Sequence, residues 1–140
     1  MRLPGLLTFA FLAGAAVMIG ETAAPRLLAP QLGTGVLTWS AVFATWLLGI
    51  AIGCAVGGRI VDAHGPRFLG PAFVAAAASI ALIPPLADLL RQLLGGLPHG
   101  WRVPLTVMPA NLPAAVFLGT LPPMLTARAL GLPGTPGKTI

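Results

Sequence analysis

The feature that most constrains this chain is an uncharged run over residues 38–58, which passes directly into a short polar turn. The run contains twenty-one residues. At ~1.5 Å of helical rise per residue it reaches about 31 Å, the thickness of the hydrocarbon core of a bilayer. The run therefore predicts a membrane-spanning helix.

Three glycines within this run share one helix face. Gly49, Gly53 and Gly57 recur at every fourth position, so they leave a groove where another helix backbone can approach closely. Lipid gives no hydrophobic reward for helix association, and contacts between membrane helices depend on such small residues. We interpret the face either as ordinary helix packing or as a surface that slides during transport.

The composition extends the membrane interpretation to the whole chain. Hydrophobic residues make up 56% of the 140 residues and charged residues only 8%, whereas soluble domains carry about 25% charged residues. We predict an all-α polytopic membrane protein, with one transmembrane domain over residues 1–130 and four spans at about 4–28, 38–59, 68–87 and 103–127. Residues 131–140 are rich in glycine and proline and are expected to form a flexible tail. For the first span, the alternative is a secretory signal cleaved near Thr22-Ala23-Ala24.

The charge pattern indicates a lipid partner and an orientation. The net charge of +5 comes from basic residues that stand singly between apolar runs, without the clustered patch that nucleic acid needs. With both termini in the cytoplasm, the positive-inside rule is obeyed, and Trp39 and Trp101 both mark the outer interface. The cytoplasmic set is Arg2, Arg59, Arg67, Arg128 and Lys138, and the outer set is Arg26, Arg91 and Arg102. We therefore predict a multi-pass protein of the inner (plasma) membrane.

Polar side chains inside the predicted spans are candidates for functional contacts. Glu21 lies about 26 Å along the first helix from Pro4, in the outer leaflet, where with Arg26 it is either an interfacial anchor or part of a proton or substrate site. Asn111 either bonds across to another helix or contacts a substrate. Trp46 is expected between helices, and the single Cys54 is expected to be a small packing residue.

Prolines predict irregularities in the third and fourth spans. Pro84 and Pro85 remove two successive backbone donors, so the third span is expected to kink or end there. Five prolines are expected to make the fourth span an irregular helix; they are Pro104, Pro109, Pro113, Pro122 and Pro123.

The turn after the second span resembles the loop between the second and third helices of major facilitator superfamily transporters. Gly58, Asp62, Gly65 and Arg67 match its pattern, while Ala63 and Pro66 stand where the family has basic residues. The resemblance implies a conformational hinge; the alternative is a charged turn that only joins two helices. On physical grounds we expect Asp62 to accept hydrogen bonds at the N-terminus of the next helix and Gly65 to permit the tight turn.

A narrower resemblance covers most of the chain. Segments of the first, second and fourth predicted helices are similar to the membrane domain that is fused to spermidine synthase-like proteins. That domain is a branch of the major facilitator type. In the first helix and the entry to the second, the matches are Glu21, Arg26, Leu28, Ala29, Pro30, Gly33 and Trp39. Gly57, Gly58, Arg59 and Asp62 continue them, and Pro113, Leu118, Gly119, Pro122 and Arg128 match in the fourth helix.

This resemblance implies a transporter-like domain, comprising the first four of the six helices in half of a major facilitator fold, and a polyamine-related substrate. Four helices can alternate access only as a homo-oligomer or with a partner membrane chain. The alternatives are a non-transporting anchor for a separately encoded synthase, or a truncated remnant.

No enzymatic activity, cofactor or metal is expected from the residues. The aminopropyltransferase half of the resembling family would need a glycine-rich turn after a strand and several acids to hold an amine. This sequence has only three acidic residues, and its glycines at positions 53–58 lie in a predicted membrane helix. The small-molecule substrate itself is not indicated.

Overall fold

The computed structural model describes residues 3–131, and every regular element in that range is helical. The α-helices are α1 (Leu3–Leu32), α2 (Val36–His64), α3 (Leu69–Leu93) and α4 (His99–Ala129), and a 3-10 turn (Gly65–Phe68) joins α2 to α3. The predicted all-α class is confirmed. Arg2, Lys138 and all of the predicted tail except Gly131 lie outside the described residues.

Three helical stretches are long and apolar enough to cross a membrane. They are Pro4–Leu32, Val36–Leu93 and His99–Ala129. The second stretch has 58 residues and contains both α2 and α3 with the 3-10 turn between them. The helices extend beyond most of the predicted span boundaries.

Of the two outcomes expected at Pro84 and Pro85, a kink or an end of the third span, the end does not occur. α3 continues through Pro84 and Pro85 as one helix to Leu93, with both prolines exposed. Each proline removes one backbone hydrogen bond from the helix. If the chain stopped being helical in an apolar surrounding, several backbone groups would lose their partners, which costs more free energy. The same reason applies to α4, which contains all five of its prolines within one continuous helix.

α4 is the central helix of the bundle and packs against each of the others. Fourteen of its residues are buried. Gly49 of α2 lies against Ala115 of α4, and two turns further along α2, Gly57 lies against Thr120. The contacts advance in the same direction on both helices, which shows that α2 and α4 run parallel.

α1 and α3 are also parallel to each other. The Phe9 and Phe73 rings have centroids 5.4 Å apart, and towards the other end of both helices Gln31 donates a hydrogen bond to Asp88. Gly33 directly follows α1; its φ of 82° places it in the left-handed region, and its N–H donates to the Ala29 carbonyl at 2.8 Å. Such a glycine is the usual helix C-terminal signal, and it lets α2 turn back along α1.

Candidate functional site

The turn after α2 depends on one glycine in a conformation that other residues avoid. Gly65 has a φ of 69° and a ψ of −174°, and its N–H donates to the Val61 carbonyl. A side chain would strain this backbone, so glycine is needed for the chain to leave α2. Two residues later the Arg67 guanidinium carbon lies 5.1 Å from the centre of the Phe68 ring, within the range of a cation–π contact.

Asp62 does not have the capping role that we expected. It lies in the last turn of α2 and is exposed. The residues that precede the 3-10 turn and α3 are His64 and Phe68, and neither helix start has a side-chain cap. The physical reason is that α2 continues two residues beyond Asp62, to His64, which keeps its carboxylate away from the free N–H groups of α3. Gly58, one turn before Asp62, has open space where a Cβ would lie.

The glycine face of α2 lies against α4. Gly49, Gly53 and Gly57 are all buried. A Cβ added to Gly53 would collide with the Val116 carbonyl oxygen and lie 2.8 Å from the Gly119 Cα, and a Cβ on Gly57 would lie 2.8 Å from the Thr120 carbonyl oxygen. The contact is equally close from the α4 side: a Cβ added to Gly119 would lie 2.6 Å from the Ile50 carbonyl oxygen. The two backbones are therefore in direct contact over two helical turns.

A buried layer of polar side chains, formed by Thr45, Trp46 and Asn111, lies one helical turn from this contact, towards the start of α2. We call it the polar layer. Asn111 is four residues before Ala115 and Thr45 is four residues before Gly49, so the two lie at the same level on facing helices. The neighbouring Trp46 is fully buried, as we expected. Its ring lies against Gly20 of α1, where a Cβ would come within 2.7 Å of Trp46 Cζ2. The layer thus joins α1, α2 and α4.

Polar atoms in this layer have no partner within residues 3–131. The Asn111 Nδ2 donates to the Val107 carbonyl of its own helix at 3.0 Å. No hydrogen-bond partner is found for Asn111 Oδ1 or for Trp46 Nε1. The same is true of Thr106 Oγ1, which lies just over one helical turn away. The expected bond from Asn111 to another helix is therefore not formed among the described residues. Each buried unpaired polar group costs about 1–3 kcal/mol, so a hydrogen-bonding partner at this layer would be stabilising.

Glu21 follows Gly20 and lies at the level of Trp46. Its side chain is half-buried, whereas Arg26 is exposed and, together with Thr22, borders a small surface pocket. In the described part of the chain the two form no ion pair. Within residues 3–131, Glu21 is the one carboxylate at the level of the polar layer, because Asp62 and Asp88 lie near helix ends.

An apolar cleft between α1 and α4 begins one turn below the polar layer. Its volume is about 540 Å³. Val17 is four residues before Glu21 and Ile50 is four residues after Trp46, so their side chains mark the upper end of the cleft. It continues past Gly14 to Ala10 and Pro122, towards the end where α1 begins.

Sequence reasoning missed two parts of this arrangement. The pairing of Gly20 with Trp46 was missed, although a glycine in a membrane helix is a signal for close contact. Cys54 was expected to be a packing residue but is exposed on α2, because the buried face of this helix is the one that carries the glycines. Residues 3–131 contain no group of His, Cys, Asp and Glu suited to holding a metal ion.

Comparison with protein-family models, with curated proteins and with solved structures finds no match to this chain. The likeness to the spermidine synthase-fused membrane domain therefore remains a prediction from the residues quoted above.

Proposed function

We propose that this chain is a four-span transporter-type unit of the inner membrane, with both termini in the cytoplasm. A single straight helix of 58 residues would extend ~87 Å, about three times the hydrocarbon thickness. The turn at Gly65 and the parallel course of α1 and α3 support two crossings by α2 and α3 instead. This up-and-down order suits the first part of a major facilitator-like bundle.

The membrane crossings are tested by labelling single cysteines from one side. In a Cys54→Ser background, Thr34→Cys and Leu97→Cys flank the 58-residue stretch, and Ala63→Cys lies at the end of α2. We expect a membrane-impermeant maleimide added outside to label the first two and to spare Ala63→Cys, which should react only after permeabilisation. Thr34→Cys and Leu97→Cys reacting from opposite sides would show an odd number of crossings between them and contradict four spans.

The observation that supports transport is the unpaired polar layer of Trp46 and Asn111. A membrane protein that only holds another protein in place gains nothing from buried polar atoms without partners, whereas a solute site needs donors and acceptors that are free between cycles. Glu21 lies at the same level, and the cleft between α1 and α4 supplies a route from the layer towards one surface. A carboxylate with a carbonyl oxygen suits a protonated amine, so polyamines are the substrate class we infer.

Alternating access requires two bundles that rock against each other. We therefore propose that the unit acts as a homo-oligomer or with a partner membrane chain. On this view Gly58, Asp62, Gly65 and Arg67 form the hinge between α2 and α3, and Glu21, Arg26 and Asn111 supply the polar contacts.

Uptake into proteoliposomes tests the function. The purified chain should accumulate radiolabelled spermidine or putrescine above protein-free liposomes, with saturation and with a response to an imposed pH gradient. Absence of uptake of polyamines and amino acids, with and without the gradient, would contradict transport. In that event, recovery of a synthase-like enzyme with the chain in mild detergent would support the anchor alternative.

A further inference from the structure

A second apolar cavity lies on the outside of the bundle, where α2 and α3 diverge. The backbones of α2 and α3 are not in contact within residues 3–131, although both pack on α4. Between them is a cavity of about 400 Å³, which we call the α2/α3 groove. Its apolar lining includes Val56, Ile60, Phe68, Ala72, Ala75 and Phe117.

The groove offers little to a polar ligand along most of its length. Thr120 is the one hydroxyl in its lining, and its Oγ1 already donates to the Phe117 carbonyl at 2.7 Å. Several lining side chains, including Val56, Phe68 and Phe117, are at least one-third exposed. A groove of this chemistry, open towards the bilayer, fits a hydrocarbon chain.

One end of the groove is basic. His64 is part of its lining, and the His64 and Phe68 rings meet edge to face with centroids 5.6 Å apart. Arg67 lies over the same Phe68 ring, and Arg59 is exposed next to Ile60. The acidic residue near these basic side chains is Asp62, which is exposed on the last turn of α2. The charge at this end therefore favours an anion.

We propose that the α2/α3 groove binds an anionic phospholipid, with one acyl chain between α2 and α3 and the phosphate beside Arg67 and His64. Acyl chains fill the apolar length, and basic pockets between membrane helices at the cytoplasmic face are suited to anionic headgroups. Since neighbouring lipids offer the same hydrocarbon, the discrimination comes from the headgroup charge. The proposal rests on the membrane placement given above and is independent of transport.

Native mass spectrometry of the full chain tests this with two probes, dioleoyl phosphatidylglycerol and dioleoyl phosphatidylcholine. We expect the wild type to retain one phosphatidylglycerol in preference to phosphatidylcholine. Arg67→Gln should lower that preference roughly fivefold, the contribution of one basic residue near an anionic lipid surface. Arg91→Gln is the matched control, because Arg91 is an exposed arginine at the opposite end of α3, and it should leave the preference unchanged.

Filling the groove supplies an independent variant. Ala75→Phe places a ring in the lining and should reduce retention of both lipids at least fivefold, while the thermal unfolding temperature shows that the bundle remains folded. Equal losses in Arg67→Gln and Arg91→Gln would overturn the headgroup site. A dimer mass without lipid that Ala75→Phe converts to monomer would overturn the lipid proposal and assign the groove to a second copy of the chain.

Discussion

Replacing Gly53 with leucine is expected to abolish the folded pairing of α2 with α4. A Cβ at this position already collides with the Val116 carbonyl oxygen and lies 2.9 Å from the Gly119 carbonyl carbon. Both are backbone atoms, which cannot rotate away as the end of a side chain can. Overpacking a core with flexible neighbours costs about 1–3 kcal/mol, and we expect a larger loss of unfolding free energy here. Denaturation with SDS in mixed micelles measures it.

Gly58 offers a matched control on the same helix. It lies five residues after Gly53, and nothing is within 4 Å of the Cβ that a substitution would add. Because glycine inside a helix is about 0.5–1 kcal/mol less favourable than alanine, Gly58→Ala should raise the unfolding free energy, whereas Gly53→Ala should lower it. Equal effects of the two alanine substitutions would contradict a direct backbone contact between α2 and α4.

Replacing Asn111 with leucine is expected to separate transport from stability. Leucine has a similar branched shape and removes the unpaired Oδ1, whose burial costs about 1–3 kcal/mol. The lost Nδ2 bond was to the Val107 carbonyl, which an α-helix also pairs with the Asn111 backbone N–H. We therefore expect an unfolding free energy that is unchanged or higher, together with at least a tenfold loss of polyamine uptake in proteoliposomes.

The control for this substitution is Ser79→Ala on α3. The Ser79 hydroxyl is half-buried and donates to the Ala75 carbonyl at 2.8 Å, so it is already paired within its own helix. This variant should transport as the wild type does. If Asn111→Leu instead lowers stability and leaves uptake per folded molecule intact, Asn111 is a packing residue and the polar layer is not the solute site.

The glycines show how far sequence reasoning reached at the candidate site. The spacing of Gly49, Gly53 and Gly57 predicted a face for close backbone approach, but no feature of the sequence named α4 as the helix that would occupy it. Asn111 and Glu21 were recognisable because polar groups are rare in apolar runs. The absence of a partner for Asn111 Oδ1 depends on how α1, α2 and α4 are placed around it, and its significance emerged only from that placement.

The sequence by itself determined that the chain is helical, apolar enough to cross a membrane and turned at a glycine after α2, because these properties depend on the composition and local conformation of short segments. The tertiary structure alone decided that α4 is central, that Trp46 is buried against Gly20, that Cys54 is exposed and that a groove opens between α2 and α3. The physical reason is that lipid and protein interior are equally apolar. A membrane helix therefore carries no alternation of polar and apolar residues, and beyond the glycine spacing of α2 the sequence did not show which faces meet a neighbour.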